Sequence, residues 1–151
     1  VTKRIPELKL VVAGTGELEA SLKTMVAKLN LNSNVEFLGY STEVGVWMAN
    51  SDAVIIPSIS EGFGVVFLEA FSARTPVIAW DIPSGDELID HGKTGFLVEP
   101  YEIEKLSNQI IEVLESDNSI ITQNAYDKLT GYFNLERMVS QTIDFYKKAM
   151  A

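Results

Sequence analysis

Two glutamates, Glu61 and Glu69, frame a short glycine-rich stretch that holds Gly62 and Gly64. Residues 52–57, just before it, form an apolar, β-branched run closed by a proline, which is typical of a buried strand. After Gly64 the apolar residues follow the spacing of a helix packed on a sheet. The sequence therefore predicts a strand, a tight turn and the start of a helix, with a carboxylate on either side.

This turn predicts a binding site for an anion that is built from backbone. The first amides of a helix have no acceptor within the helix, so they can donate to an anion at the carboxyl edge of the sheet. Glycines also keep no side chain between that backbone and a ligand. The predicted contacts come from five consecutive residues: Gly62, Phe63, Gly64, Val65 and Val66.

The two carboxylates predict the other half of the ligand. A carboxylate accepts hydrogen bonds and repels phosphate, so Glu61 and Glu69 should bind hydroxyls. Glu69 lies about five residues into the helix, roughly 7 Å along its axis. Its side chain tilts back toward the helix start and can reach the turn. Phosphate beside a diol describes a sugar nucleotide. The alternative, that Glu61 is a loop charge and Glu69 a solvated helix residue, stays open for either one taken alone.

Residues 61–70, EGFGVVFLEA, resemble the E-x7-E signature of the group 1 retaining glycosyltransferases, which have the two-domain GT-B fold. Residues 75–81 and 87–98 are similar to the segments that follow in that family, so the resemblance covers nearly the whole chain. It implies the C-terminal, donor-binding half of such an enzyme. The expected fold is α/β, a Rossmann-like doubly wound parallel sheet, with residues 1–151 as one nucleotide-sugar-binding domain.

The resemblance also implies the chemistry. The donor would be a nucleoside-diphosphate sugar, with Glu69 on the ribose diol. Glu61, the catalytic candidate, would hold sugar hydroxyls close to the anomeric carbon. No cofactor and no metal are expected, because the amides at the helix start would stabilise the leaving diphosphate.

Four more residues are implied as donor contacts. Gly14 and Gly16 form a turn after the first predicted strand and would approach the donor phosphates or sugar. A dinucleotide fingerprint would need glycine where Glu19 stands, so a plain tight turn remains the alternative. Tyr40 and Ser41 follow the second predicted strand and would contact the nucleotide base. Tyr40 could equally be an aromatic residue on the rim.

Composition narrows the possible partners. The chain has 151 residues, a net charge of −9, one histidine and no cysteine. It is long enough for one domain with a core, and it lacks the basic stripe that nucleic acid requires. Disulfides, thiolate metal sites and multi-histidine zinc sites are excluded. No run approaches the ~20 apolar residues of a membrane span and no signal peptide opens the chain, which predicts a cytoplasmic location.

The start of the chain predicts a truncation. Residues 1–5 resemble the last turn of a helix before Pro6, so we expect that the first βα unit of the sheet is missing. In the resembled family that part supplies an Arg/Lys pair for the diphosphate, and an N-terminal domain binds the acceptor. We therefore expect the fragment alone to be inactive, with that domain as its partner and any membrane contact made only through the missing half.

Two alternatives belong to other functional classes. One is a non-catalytic domain that binds a nucleotide sugar or another protein. The other is a glycosidase with Glu61 and Glu69 as its paired carboxylates. The helix start between the two glutamates is suited to an anion, which disfavours the glycosidase.

Three local expectations can be checked against the structure. Arg74 stands where the family usually has glycine at a helix end, and a left-handed arginine there would cost about 1 kcal/mol. Ser84 likewise replaces a glycine, in a predicted loop at residues 81–86. His91, in a glycine-flanked turn, is expected to be structural or solvated. Along the last predicted helix, exposed apolar residues would mark an interface with the partner domain.

Overall fold

A computed structural model describes residues 1–150, apart from the side chains of Ser84 and Asp86. The chain forms two compact units, Val1–Trp47 and Met48–Ala151. Strands and helices alternate along both, and every strand pairing is parallel. This is the predicted α/β class.

The first unit is a parallel βαβ arrangement. Its elements are β1 (Leu10–Ala13), α1 (Glu19–Lys28) and β2 (Val35–Gly39), and α2 (Val44–Ala49) spans the boundary with the second unit. β1 pairs with β2 along its length. Asn34 anchors the approach to β1, because its side-chain amide donates to the carbonyls of Pro6 and Leu8, each at 2.8 Å.

An exposed apolar face runs along α1 and the two residues that flank it. Four side chains keep between 41% and 70% of their surface accessible: Leu18 and Leu29 at the two caps, and Leu22 and Met25 within the helix. Their spacing of three to four residues places them on one side of the helix. A contiguous exposed face of this kind is unusual for a packed helix.

The second unit holds the core. Its sheet has the order β3 (Val54–Ile56), β4 (Val77–Trp80), β5 (Phe96–Val98). Its helices are α3 (Val65–Ser72), α4 (Pro83–Leu88), α5 (Ile103–Glu115), α6 (Ser119–Tyr132) and α7 (Leu135–Ala149). All four residues of the central strand β4 are buried, as expected for a parallel strand covered on both faces. The five predicted strands are all found, but their ladders form a two-stranded and a three-stranded sheet rather than one continuous sheet.

The predicted loop at residues 81–86 was wrong from Pro83 onward, because α4 begins there. Proline suits the first helical position, since its fixed φ matches the helix and it has no amide that needs an acceptor. This short helix contributes Leu88 to the core, where only 1% of its surface is exposed.

The end of α3 shows how the chain accommodates arginine in place of glycine. Arg74 is left-handed, with φ of 58°. Its guanidinium carbon lies 3.9 Å from the centre of the Tyr126 ring, and Nη1 donates to Oε1 of Gln123 at 2.5 Å. Both partners lie on α6. A cation–π contact contributes about 0.5–1 kcal/mol at an exposed site, which offsets most of the left-handed cost of about 1 kcal/mol.

This balance predicts an order of stabilities. Arg74→Ala keeps the left-handed strain and loses both contacts with α6, so the free energy of unfolding should fall by about 1–2 kcal/mol. Arg74→Gly loses the contacts but also the strain, and should lie within about 0.5–1 kcal/mol of the parent. Urea unfolding measures the series, with the exposed Lys148→Ala as a control. An alanine variant as stable as the parent would contradict the contacts.

Candidate functional site

The turn between β3 and α3 depends on Gly64. This residue precedes α3 with φ of 82° and ψ of 50°, in the left-handed region. A Cβ atom there would lie 2.7 Å from Cδ2 of Phe67 and 3.0 Å from Cδ1 of Leu88. Both neighbours are fully buried, so they have little room to move. Conformation and space therefore both require glycine.

Past this turn, α3 begins with amides that lack acceptors. The Phe67 amide donates to the Gly64 carbonyl at 3.0 Å. Within residues 1–150, the amides of Val65 and Val66 have no hydrogen-bond acceptor. Such amides concentrate the positive end of the helix dipole. Beside them, Gly62 is exposed, and a Cβ built on it would meet no atom within 4 Å. No described side chain fills the space that this backbone borders at Gly62.

Both predicted carboxylates are free to accept hydrogen bonds. Glu61 is half-buried in the loop before α3, and Glu69 is exposed on the helix. Neither carboxylate has a hydrogen-bond or ion-pair partner in the part of the chain that the structure describes. Two unpartnered carboxylates close in sequence to two unpartnered amides form a site that offers acceptors and donors together.

Phe63 has a neighbour that the sequence did not reveal. Its ring meets the ring of Phe133 edge to face, with centroids 6.0 Å apart and planes at 70°. Such pairs contribute about 0.5–1.5 kcal/mol beyond the area they bury. Phe133 follows α6 directly. The aromatic pair Tyr132-Phe133 at the predicted helix end was the one available signal, and nothing in its spacing points to the glycine loop.

The rings border a groove of about 680 Å³ along the start of α7. Besides Phe63 and Leu68 next to the site, it is lined from α6, α7 and the residues between them, among others by Tyr132, Phe133, Leu135, Met138, Phe145 and Tyr146.

In the first unit, Gly14 and Gly16 follow β1. Gly14 has φ of 120°, which favours glycine, and its amide donates to the Gly39 carbonyl at 2.7 Å. A Cβ on Gly14 or Gly16 would meet no described atom within 4 Å. The turn therefore has an internal structural role at Gly14 and open space beside both glycines, so their donor contact stays a prediction.

Tyr40 and Ser41 lie in the same unit, directly after the carboxyl end of β2, the strand that pairs in parallel with β1. Tyr40 is 81% exposed, which fits a rim aromatic and a base contact equally well. Ser41 already uses its hydroxyl locally, where Oγ accepts from the Glu43 amide at 3.1 Å. Base contact by either residue stays a prediction.

His91 has a structural role, one of the two expected for it. Its Nδ1 accepts from the Leu97 amide of β5 at 3.0 Å, and its ring meets Phe96 edge to face. Close by, the Lys105 ammonium donates to the Glu99 carboxylate, and this bond lowers the pKa of Glu99 and raises that of Lys105. His91 and this ion pair line the same cavity, and each of the three side chains already has a hydrogen-bond partner within the chain.

Residues 1–150 contain no group of three or more histidine, aspartate or glutamate side chains able to hold a metal ion. None of the helices described here is long and apolar enough to cross a membrane.

The chain is similar to known glycosyltransferases in sequence and in structure. A family model described as glycosyl transferases group 1 matches residues 1–128. The N-acetyl-alpha-D-glucosaminyl L-malate synthase of Bacillus anthracis is 30% identical over 142 residues, which are 93% of this chain and 37% of that protein. The chain thus spans little more than a third of that relative.

Two solved structures extend the likeness. HepE of Anabaena, in complex with UDP-glucose, has a TM-score of 0.86 and 28% identity over 95% of this chain and 42% of that chain. The C-terminal domain of LpcC, a glycosyl transferase group 1 family protein of Francisella tularensis, has a TM-score of 0.78 and 27% identity over 89% of this chain and 74% of that chain. The predicted Rossmann-like architecture of a GT-B C-terminal half is confirmed. The chain belongs to the group 1 glycosyltransferases.

Proposed function

We propose that the chain is the donor-binding domain of a retaining, metal-independent glycosyltransferase that uses a nucleoside-diphosphate sugar. The observation that carries the proposal is the left-handed turn at Gly64. It is followed by two amides without acceptors and flanked by two carboxylates without partners. HepE, which is 28% identical, was solved with UDP-glucose, so a uridine diphosphate sugar is the first donor to test.

The arrangement separates binding of charge from binding of hydroxyls. The amides of Val65 and Val66 would donate to the diphosphate, where negative charge grows as the bond to the anomeric carbon breaks. Preorganised amides do here what a metal ion does elsewhere, because they need no reorientation during the reaction. Glu69 would accept from the ribose hydroxyls. Glu61 would accept from the sugar and favour the positive charge that develops at the anomeric carbon.

For four residues of the first unit, the family resemblance alone supports a donor contact. Gly14 and Gly16 would let backbone approach the phosphates or the sugar. Tyr40 and Ser41 would contact the base.

The acceptor would bind to an N-terminal domain of the same protein, outside this chain. The apolar face predicted for α7 is exposed, and we propose it as the surface that meets this domain: Leu135, Met138, Val139, Ile143 and Tyr146 each keep between 43% and 70% of their surface accessible. Without the acceptor domain, residues 1–151 would bind donor and transfer no sugar. The same exposed face would also suit a non-catalytic domain that binds a nucleotide sugar or another protein, which is the second candidate function.

Calorimetric titration of the full-length protein with UDP, GDP and ADP tests the proposed function. We expect one nucleotide, UDP first, to bind at least tenfold more tightly than the others. Sugar transfer from the matching donor then separates an enzyme from a non-catalytic domain. A folded protein that binds none of the three would overturn the donor site.

Replacing each of the two glutamates by alanine should separate nucleotide recognition from sugar recognition. Glu69→Ala removes a charged acceptor, so the Kd of UDP should rise about ten- to a hundredfold, as expected for the ~1.5–3 kcal/mol of such a hydrogen bond. Glu61→Ala should change the Kd of UDP less than about threefold, abolish the extra affinity for UDP-glucose over UDP, and lower kcat. Exposed Glu112→Ala is the control. Equal effects of the two substitutions on both ligands would refute the separate roles.

The two loop glycines should fail in different ways. Gly64→Ala places its Cβ 2.7 Å from Phe67 in a left-handed conformation, so the free energy of unfolding should drop by about 2 kcal/mol or more. Gly62→Ala adds a methyl group where no described atom lies within 4 Å. The thermal midpoint of unfolding should stay within about 2 °C of that of the parent. The affinity for UDP should still fall about five- to tenfold, because the methyl group would stand between the backbone and the phosphate. Unchanged UDP affinity in Gly62→Ala would show that the diphosphate binds elsewhere.

A further inference from the structure

The glycine loop has few anchors of its own. In the described chain, the side chains of residues 58–62 make no hydrogen bond and no ion pair. Phe63 stands between two glycines, the residue type that restricts the backbone least. Besides the packing of Gly64 against Leu88, the loop contacts another element through the edge-to-face pair of Phe63 and Phe133.

Phe133 is itself firmly placed. Its amide donates to the Leu129 carbonyl at 3.0 Å, which closes the last turn of α6. Its ring lies 5.0 Å from that of Tyr132, and the guanidinium carbon of Arg137 lies 4.0 Å from the Tyr132 ring centre. Arg137 belongs to α7, so the stack fixes Phe133 from both helices.

The next residue strengthens the junction between α6 and α7. The side chain of Asn134 caps α7 by accepting from the Arg137 amide at 2.9 Å, and its Nδ2 donates to the Thr130 carbonyl of α6 at 3.0 Å. One side chain therefore bonds to both helices on either side of Phe133.

The other end of the same helix holds the far end of α3. Arg74, just past α3, stacks on Tyr126 and bonds to Gln123, both from α6. α6 thus contacts the residues after α3 through Arg74 and the loop before α3 through Phe133. α3 is therefore linked to this part of the chain on both sides, at Phe63 before the helix and at Arg74 after it.

We propose that Phe133 is a positioning residue for donor binding, which acts through Phe63 to hold the loop of residues 61–64 and so the first amides of α3. The inference rests on the proposed function for its effect on affinity. The geometric part, that Phe133 orders the loop, stands without a donor.

A double-mutant cycle tests the affinity effect in the full-length protein. Phe133→Ala should raise the Kd of UDP and the KM for the nucleotide sugar about three- to tenfold and lower kcat less than twofold. Phe133→Tyr, which keeps the ring, should restore both values to within about twofold. The double variant Phe63→Ala/Phe133→Ala should bind UDP no more weakly than the weaker-binding single variant, because the two substitutions remove the same contact. Ile120→Ala, an exposed apolar residue at the start of the same helix, is the matched control.

Amide exchange of the ligand-free protein tests the geometry separately. The Phe67 amide, bonded to the Gly64 carbonyl, should exchange faster in Phe133→Ala than in the parent and in Ile120→Ala, under conditions where global stability is matched. Unchanged exchange, full multiplication of the single effects in the double variant, or unchanged UDP affinity in Phe133→Ala would each overturn the positioning role. If the parent binds no nucleotide while exchange still responds, the proposed function fails and the positioning of the loop stands.

Discussion

The backbone at Gly64 is the constraint on which the proposed site depends. A left-handed residue at this point joins β3 to α3 and leaves the first two amides of the helix without acceptors. The same Cα packs against Phe67 and Leu88, two of the most buried residues of the second unit. The core and the site therefore share atoms. Their common packing fixes the direction of amides that would otherwise need a ligand to order them.

Local geometry also explains how an acidic chain can hold a diphosphate. The net charge is −9, yet exposed charges more than about 8–10 Å away are largely screened at physiological salt. The two free amides and the helix dipole would act on a diphosphate within hydrogen-bond distance, where screening is weak. The carboxylates that would repel phosphate are the ones proposed for hydroxyls. The net charge of the whole chain therefore does not determine the local electrostatic potential at the proposed site.

Much of this was readable from the sequence because it depends on local chemistry. The strand, turn and helix around residues 52–72 follow from periodicity and glycine, and the left-handed Arg74 follows from its place after a helix. α4 escaped prediction because six residues are too few to show a helical period. The exposed face of α1 escaped for another reason. Periodicity predicts that a helix has an apolar side, and only packing determines what covers it.

The contact between Phe63 and Phe133 belongs to a class that no local pattern can reveal. The two residues lie far apart in sequence, and each alone is an ordinary aromatic. Yet a site made of backbone is insensitive to many side-chain changes within it and sensitive to whatever orients that backbone. Its determinants must then lie partly outside the loop that carries the family motif. In this chain they include α6, whose contacts reach the residues on both sides of α3, so the packing of a helix without a predicted donor contact adds to the core packing of Gly64 in orienting the first amides of α3.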